Sequence, residues 1–518
     1  MARSGTARPR TSVGDNIRRL REFGATAIGG SVLLGFAGSL LVTIGSFGVG
    51  DIPRNQTSLQ DLGLSWLSFG HGKTLAGMSF WLGVAVMVVA WVRVGRTLRA
   101  ATPADGAART VGWAAIAWSA PLMVAVPLYS RDVYAYLAQG ALLRDGFNPY
   151  ADGPAVQPGA LLDSMAQVWA TTTAPYGPAF MSLTGAVTRA TGDEPVVGVL
   201  VMRLVLVPGL FLTLWALPKL ARHFGTDPAL ALWLAVLNPL VLVHLVGGPH
   251  VELLMMGVLI AGVTLVVTRR HVAGVGVLAL AMSIKITAGV AIPFVLWIWL
   301  SHIRDERDVR AKDVARVLAW IIGVSAAVFG LLTLLVGHGF GWLLGLTWAA
   351  KIINWLTIPT AVAHLIAFGA SPFTALPLLP VLEVTRAVGS VVLALTLVGL
   401  WLWFRRGERA AVTGMAWAML AVLLLEPSTL PWYYTWALVL AAAFTIERWA
   451  VVAIVFYSVF LLQVFGPDDE IFMYKLTDVV VAVALSALAG WSLIREDPLR
   501  LRRVTRGPSP APISGATA

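Results

Sequence analysis

Residues 111–154 read VGWAAIAWSAPLMVAVPLYSRDVYAYLAQGALLRDGFNPYADGP, and the transition within them decides the fold. Residues 111–128 are apolar over a length that can cross a lipid bilayer. From residue 129 the chain becomes rich in Tyr, Asp, Arg and Asn, and no membrane span is expected before residue 195. Connections this long are usually functional or disordered, and this composition is not that of a disordered segment. The stretch therefore predicts a membrane helix that leads into a large structured loop, 129–194.

The rest of the chain repeats the apolar half of this pattern. Of its 518 residues, 58% are hydrophobic and 13% are charged, whereas ordinary soluble proteins carry about 25% charged residues. Residues 272–301 are predicted to form two short membrane segments that meet near Lys285. The pattern predicts an all-α polytopic membrane protein with about 12–14 transmembrane helices. The other predicted spans are 25–47, 73–92, 111–128, 195–217, 229–246, 251–268, 314–336, 381–404, 410–425, 433–446, 449–465 and 477–494.

The distribution of charge predicts the orientation of these spans. The net charge is +11, and the loops assigned to one side hold 28 of the 38 Lys and Arg but only 12 of the 27 Asp and Glu. Basic residues concentrate in cytoplasmic loops, so this side is predicted to be cytoplasmic and to contain both termini. Because topology explains the basic excess, no nucleic acid is expected as a partner. A crossing at 176–190 or 340–370 would invert later loops, so 176–190 is expected to be a helix on the outer surface and 340–370 to lie outside or at the interface.

Three units are expected along the chain. Residues 1–110 are predicted to be a cytoplasmic tail followed by a two-span extension, 111–494 a transmembrane core that includes the outer loop, and 495–518 a basic cytoplasmic tail. The absence of Cys excludes disulfides, iron–sulfur clusters and thiolate metal sites. The spacing of His250 and Glu252 matches no established zinc pattern. No metal and no cofactor are therefore expected.

Asp132 is the first candidate catalytic residue, because it stands just past a membrane span at the start of a predicted surface helix. A carboxylate there can accept a proton from an attacking hydroxyl group. The alternative is that Asp132 only stabilises the helix N-terminus, a position that acidic residues favour. Tyr136 falls on the same predicted helical face.

Basic residues within or beside the spans are candidates for binding an anion. Charged side chains inside a bilayer usually face a cavity, form a pair or bind a ligand. Lys285 is the strongest candidate, because it interrupts an apolar stretch and has no acid nearby in sequence. Arg131, Arg203 and Lys351 are weaker candidates for the same role, with Asn354 as a polar partner. For each of these residues, a structural or orienting role is the alternative to anion binding.

Two further motifs supply polar and aromatic groups at the outer ends of spans. LNPLVLVHLVGGPHVELLMMG (237–257) contains His250 and Glu252, with Pro and Gly residues that open the helices. LPWYYTWAL (430–438) contains Trp432 and Tyr433. These aromatic residues are expected either to anchor the chain at the membrane interface or to stack on sugar rings.

The motifs together resemble those of a known family. SRDVYAYLAQGALLRDGFNPY (130–150), APYGPAF (174–180), the 237–257 motif, SIKITAG (283–289) and LPWYYTWAL are similar to segments of GT-C glycosyltransferases. The closer resemblance is to actinobacterial polyprenol-phosphate-mannose-dependent α-(1→6)-mannosyltransferases of lipomannan synthesis, over most of the chain from about residue 110 onward.

The resemblance implies an inverting enzyme of the plasma membrane whose active site lies on the outer face. Asp132 matches the family's catalytic base, and Lys285 matches a lysine near the lipid donor. The implied substrates are a polyprenyl-phosphate-mannose donor and a lipid-anchored mannoside acceptor within the membrane lipids. No acid follows Asp132, which departs from branches with paired acids and suits a monophosphate donor. The expected sugar- or acceptor-binding residues are Tyr136, Tyr176, His250, Glu252, Asn354, Trp432 and Tyr433.

Other functions remain open at this point. A flippase or transporter of a lipid-linked sugar would also need a membrane cavity with cations and aromatic side chains. A GT-C enzyme with another sugar donor or linkage would share the same motifs. A structural membrane subunit would not explain the long outer loop.

Overall fold

The computed structural model describes residues 27–55, 57–100, 106–342, 351–468 and 475–495. Within these residues the chain is helical and forms no β-strand, which confirms the predicted all-α class. The predicted tails, 1–24 and most of 495–518, lie outside the described residues, as does part of the 340–370 segment.

The first half of the chain contains the outer loop and the helices that support it. Three short 3₁₀ helices also occur here, at Ser65–Ser68, Pro154–Val156 and Gln167–Trp169. The α-helices are α1 Ala27–Val49, α2 Ser58–Asp61, α3 Gly70–Ala100, α4 Ala107–Leu122, α5 Asp132–Arg144, α6 Ala160–Ser164, α7 Pro178–Thr191, α8 Pro195–Leu206, α9 Pro208–His223, α10 Pro228–Ala235 and α11 Pro239–Val241.

The second half completes the helical core. A π-helix at Leu242–Gly247 follows α11, and 3₁₀ helices occur at Ile286–Ala291 and Pro431–Tyr434. The α-helices are α12 Glu252–Val267, α13 His271–Ile284, α14 Ile292–Arg304, α15 Ala311–Val336, α16 Ile358–Ala370, α17 Leu378–Trp403, α18 Glu408–Leu425, α19 Thr435–Ala441, α20 Arg448–Leu461 and α21 Leu476–Ile494.

Eight helices in the described residues are long and apolar enough to cross a membrane. A ninth candidate is the pair Pro228–Ala235 and Pro239–Gly247, which is bent by 46°. Several other predicted spans are shorter apolar helices, including α12, α13 and α20. Proline at the first helical position starts many of these elements, because its missing N–H has no partner there in any case. The chain is therefore a multi-pass membrane protein in which several predicted spans are divided.

The most informative division is the one at Lys285. Helix α13 ends at Ile284, Lys285 is extended (φ −143°, ψ 124°), and a 3₁₀ helix leads into α14. The predicted break is therefore present at the predicted residue. Lys285 stands where the helical hydrogen bonds are interrupted, so its side chain can enter the interior of the bundle.

The two N-terminal spans pack directly on the core. Helices α1 and α3 lie against each other, and α3 contacts α10 through Trp91 and Trp233. The indole Nε1 of each Trp donates to the backbone carbonyl of the other at 2.8 Å, and their rings stack 5.3 Å apart. Treating 1–110 as a separate domain stays a prediction.

The outer loop is folded, as its composition predicted. Helix α7 contains most of the 176–190 segment for which a helix was expected, and it packs against α5. Arg131 fastens the loop to the N-terminal region. Its Nε lies 3.2 Å from Asp51, and its Nη1 donates to the carbonyls of Ile52 and Ser164 at 3.1 and 2.9 Å. Asp132 therefore begins a helix that is held in place by its neighbour in sequence.

Candidate active site

Asp132 is the first residue of α5 and lies near the N-terminal end of the outer loop, 129–194. Its backbone N–H donates to the Ser130 hydroxyl at 3.1 Å, so the side chain is not needed to satisfy that group. The carboxyl group keeps 16% of its side-chain surface exposed and points towards His250. It is therefore shielded by the bundle but still accessible to a hydroxyl group that enters from the loop side.

His250 lies opposite Asp132 because the chain breaks between the π-helix and α12. Gly248 makes this break possible, since a Cβ there would lie 2.5 Å from the Leu128 carbonyl and 2.6 Å from the His244 carbonyl. The Nδ1 of His250 lies 2.6 Å from the His244 carbonyl oxygen. A carbonyl can only accept a hydrogen bond, so Nδ1 carries the proton in the neutral ring.

The other ring nitrogen of His250 is directed at Asp132. Nε2 lies 3.8 Å from Oδ2 of Asp132 and has no hydrogen-bond partner among the described residues. The imidazole ring is fully buried and stacks on Trp432, with centroids 3.8 Å apart and planes 24° apart. The predicted site residues His250 and Trp432 are thus brought together with Asp132.

Lys285 and Glu252 form a second part of the site. The Lys285 ammonium group pairs with Oε1 of Glu252, a residue that is only 1% exposed. The same ammonium group lies 3.9 Å from the ring centroid of Tyr433 and 4.9 Å from that of Trp436. Both rings offer their electron-rich faces to the cation. Lys285 is therefore held by one carboxylate and two aromatic rings.

A triad of aromatic rings covers the site on the outer-loop side. Tyr136, Tyr176 and Phe180 lie edge to face, with centroid distances of 5.1–5.2 Å. Gly177 places this triad beside the Lys285 break, because its N–H donates to the Ile284 carbonyl at 3.3 Å. A Cβ at Gly177 would lie 2.3 Å from the Ser283 carbonyl oxygen, so only glycine permits this contact. The YGP motif thus joins the outer loop to the break.

The electrostatic environment of Asp132 differs from that of an exposed aspartate. Burial raises the pKa of its carboxyl group, the charge of nearby Glu252 raises it further, and His250, the Ser130 hydroxyl and Lys285 oppose the rise. The net direction is upward, because desolvation penalises the ionised form most. A carboxyl group with a raised pKa is a stronger proton acceptor than an ordinary aspartate.

The side chains of three other predicted site residues, Arg203, Asn354 and Arg131, donate hydrogen bonds to backbone carbonyls. Arg203 donates to the carbonyls of Val246, Gly247 and Met123 at 3.1, 2.7 and 3.3 Å. Asn354 donates to the Thr429 carbonyl at 2.7 Å. Arg131 makes the contacts with Asp51, Ile52 and Ser164 described above. To bind a phosphate these two arginines would have to leave their present partners, so their phosphate role stays a prediction.

Two further charged residues, Lys351 and Glu426, differ in their surroundings. Lys351 is exposed at the beginning of the described segment 351–468, and its role stays a prediction. Glu426, which was not selected from the sequence, ends α18 with a buried Oε1 that has no hydrogen-bond partner among the described residues. The positive charge of Lys285 is close enough to interact electrostatically with the Glu426 carboxyl group. An acid at the C-terminal end of an apolar helix was the signal that could have identified it.

Comparison with known proteins identifies two matched regions of the chain. Residues 32–301 match a family model described as "Alpha-(1->6)-mannopyranosyltransferase, N-terminal domain", and residues 359–495 match one described as "MptB C-terminal domain". Every residue of the Asp132, His250 and Lys285 cluster lies within one of these two regions.

Relatives of similar length extend the match across nearly the whole chain. Alpha-(1->6)-mannopyranosyltransferase A of Mycobacterium tuberculosis is 44% identical over 95% of this chain and 95% of its own length. The enzyme of the same name from Corynebacterium glutamicum is 34% identical over 92% of this chain and its full length. Alpha-(1->6)-mannopyranosyltransferase B of C. glutamicum is 30% identical over 90% and 82%. The chain, a multi-pass membrane mannosyltransferase, therefore belongs to the alpha-(1->6)-mannopyranosyltransferase family.

Proposed function

We propose that this mannosyltransferase transfers mannose from polyprenyl-phosphate-mannose to a lipid-anchored mannan and forms α-(1→6) linkages with inversion. The observation that carries the proposal is the placement of Asp132 and Lys285 around one cluster of buried polar groups. An acid with a raised pKa suits activation of a hydroxyl group, and a cation set among aromatic rings suits a sugar phosphate. The α-(1→6) linkage is supported by the relatives, which are named alpha-(1->6)-mannopyranosyltransferases.

In this mechanism Asp132 is the general base. Its carboxylate accepts the proton of the acceptor's 6-hydroxyl group as the oxygen attacks the anomeric carbon of the donor. The bond from that carbon to the phosphate oxygen breaks on the opposite face, through a transition state of oxocarbenium character. The phosphate leaves as an anion and needs no proton, so one base suffices. The Nε2 lone pair of His250 faces Asp132, where it stabilises the protonated carboxyl group and can take the proton onward.

Lys285 supplies the positive charge for the departing phosphate. The Lys285 ammonium group is already paired with Glu252. The donor phosphate is therefore expected either to bind the ammonium group together with Glu252 or to displace the Glu252 carboxylate. The rings of Tyr433 and Trp436 keep the ammonium group in position during this exchange. Charge that develops on the phosphate in the transition state is thus met by a preorganised cation.

A transfer assay with the purified full-length chain tests the proposal. Polyprenyl-phosphate-mannose and a short α-(1→6)-mannoside are supplied in detergent, and the product is examined by linkage and anomeric analysis. The expected product is the acceptor extended by one α-(1→6)-linked mannose. Another linkage, or transfer from a nucleotide sugar alone, would contradict the proposal. Movement of the donor across vesicles without transfer would favour the flippase alternative.

The pH dependence of transfer should reflect the raised pKa of Asp132. The base works only when ionised, so the rate falls as the pH decreases through that pKa. Because the pKa is raised, the acid limb of kcat/KM should lie above the value of about 4 for an ordinary aspartate. A pH–rate profile measured at subsaturating donor tests this. An acid limb at or below pH 4 would show that Asp132 is not the titrating base.

The proposed outer location of the site is testable because the chain contains no Cys. Single-cysteine variants Ala155→Cys, in the outer loop, and Arg406→Cys, between α17 and α18, both replace exposed residues. A membrane-impermeant maleimide should label Ala155→Cys in intact cells and Arg406→Cys only after permeabilisation. The reverse pattern would place the loop and the site in the cytoplasm.

A further inference from the structure

A long groove lies between α3 and α21, outside the candidate active site. It has a volume of about 640 Å³ and runs between one stripe of α3, from Trp81 to Arg96, and one stripe of α21, from Asp478 to Ser492. Fifteen residues of helix separate Trp81 from Arg96, which corresponds to about 22 Å. A groove of this length and volume fits a single hydrocarbon chain.

The lining of the groove is almost entirely apolar between its ends. Valine, leucine and alanine side chains of α3 and α21 form the walls, and Val459 of α20 and Leu462, which follows α20, close one part of the floor. Gln463 also lines the groove, but its amide donates to the Val459 carbonyl at 2.8 Å and faces Ser486. Its polarity is therefore satisfied within the protein.

The two ends of the groove differ in charge. Lys73 near the start of α3 lies 3.8 Å from Asp468, which precedes α21, so both helices begin on the same side. Arg96 and Ser492 consequently share one end, and Trp81 and Asp478 share the other. In the part of the chain that the structure describes, no carboxylate forms an ion pair with Arg96. Helix α3 itself contains no acidic residue.

We propose that this groove binds one anionic phospholipid, with its phosphate at Arg96 and an acyl chain along the apolar stripe. The charge arrangement favours this direction, because Arg96 attracts an anionic headgroup and Asp478 repels it. Arg96 is at the end of α3 that is predicted to be cytoplasmic, so the lipid comes from that leaflet.

The proposed lipid site is separate from the candidate active site. Tyr129 stands between them: its hydroxyl group donates to the Leu462 carbonyl at 2.9 Å, and its ring stacks on His244 at 4.2 Å. The lipid would touch α3, which lies in the N-terminal matched region, and α20 and α21, which lie in the C-terminal one. It therefore fastens the two regions to each other, whatever reaction the protein catalyses.

Native mass spectrometry of the full-length chain tests the proposal. The protein is extracted from bilayers that contain phosphatidylglycerol, phosphatidylcholine and polyprenyl phosphate in equal amounts, and the retained lipid is measured. We expect one phosphatidylglycerol per chain. Arg96→Gln should lower its retention about fivefold, the effect of one arginine on an anionic lipid. Arg93→Gln removes the same charge one turn earlier, at an exposed position outside the groove, and should retain the lipid.

A second variant tests the acyl-chain part of the site without touching its charge. Ala85 lines the groove and is exposed, so Ala85→Phe fills the groove and should displace the lipid while leaving the helix packing intact. Equal retention of phosphatidylcholine, or unchanged retention in Arg96→Gln, would overturn the proposal. Retention of polyprenyl phosphate in place of phosphatidylglycerol would also overturn it, because the groove would then hold the carrier of a sugar donor.

Discussion

Replacing Asp132 with Asn is expected to lower kcat for mannose transfer by about 10²–10⁴-fold, the usual contribution of a general base. The amide has nearly the same shape as the carboxyl group but cannot accept the proton of the acceptor hydroxyl. In the proposed mechanism Lys285 rather than Asp132 binds the donor phosphate, so the donor KM should change little. Initial rates at saturating donor and acceptor measure the effect directly.

Asp145→Asn is the matched control for this variant. Asp145 directly follows the same helix, α5, where it pairs with Arg144 at 2.6 Å, away from His250 and Lys285. This substitution removes an equivalent negative charge from the outer loop and should leave kcat unchanged. Full transfer activity in Asp132→Asn, or an equal loss in Asp145→Asn, would show that Asp132 is not the base.

Replacing Lys285 with Gln is expected to damage both folding and donor binding. Glu252 would be left as a buried, unpaired carboxylate, and breaking a buried ion pair in this way costs about 3–5 kcal/mol. The single variant should therefore show a lower Tm in detergent and a poor yield. Its low activity alone would not reveal whether Lys285 binds the phosphate.

The double variant Lys285→Gln, Glu252→Gln separates these two effects. It removes both charges, so the Tm should return towards that of the unchanged protein. If Lys285 holds the donor phosphate, the donor KM should still rise about tenfold, as expected for loss of a charge-assisted contact. Glu252→Gln alone should leave donor binding intact, because the lysine remains. A double variant with normal Tm and normal donor KM would exclude Lys285 from the phosphate site.

Local features of the fold were predictable from the sequence. The break at Lys285, the helix near 176–190 and the start of a helix at Asp132 all follow from apolar periodicity, proline and glycine positions, and polar residues at the ends of spans. These signals act over a few residues, so spacing along the chain is enough to detect them. The division of several spans into short helices was less visible, because apolar composition does not show where a helix bends.

The partners of the charged residues could not be predicted in the same way. Lys285 has no acid near it in sequence, yet it pairs with Glu252 from a different helix. Arg131 and Arg203 are held by an aspartate and by backbone carbonyls that only the tertiary structure brings near. Tyr433, for which membrane anchoring was one alternative, lies against the Lys285 ammonium group. Such contacts depend on how helices pack, which the order of residues alone does not reveal.

The Glu252–Lys285 pair also has a consequence for how the chain is assembled in the membrane. Either side chain alone would oppose insertion of its helix by about 2.5–3.5 kcal/mol if it reached the middle of the bilayer. Glu252 begins α12 and Lys285 directly follows α13, so the two charges meet at the open end of one helical hairpin. The hairpin can enter the lipid as a neutral unit only after residue 285 has been synthesised. We therefore expect the translocon to hold α12 until α13 emerges and to release the two helices together.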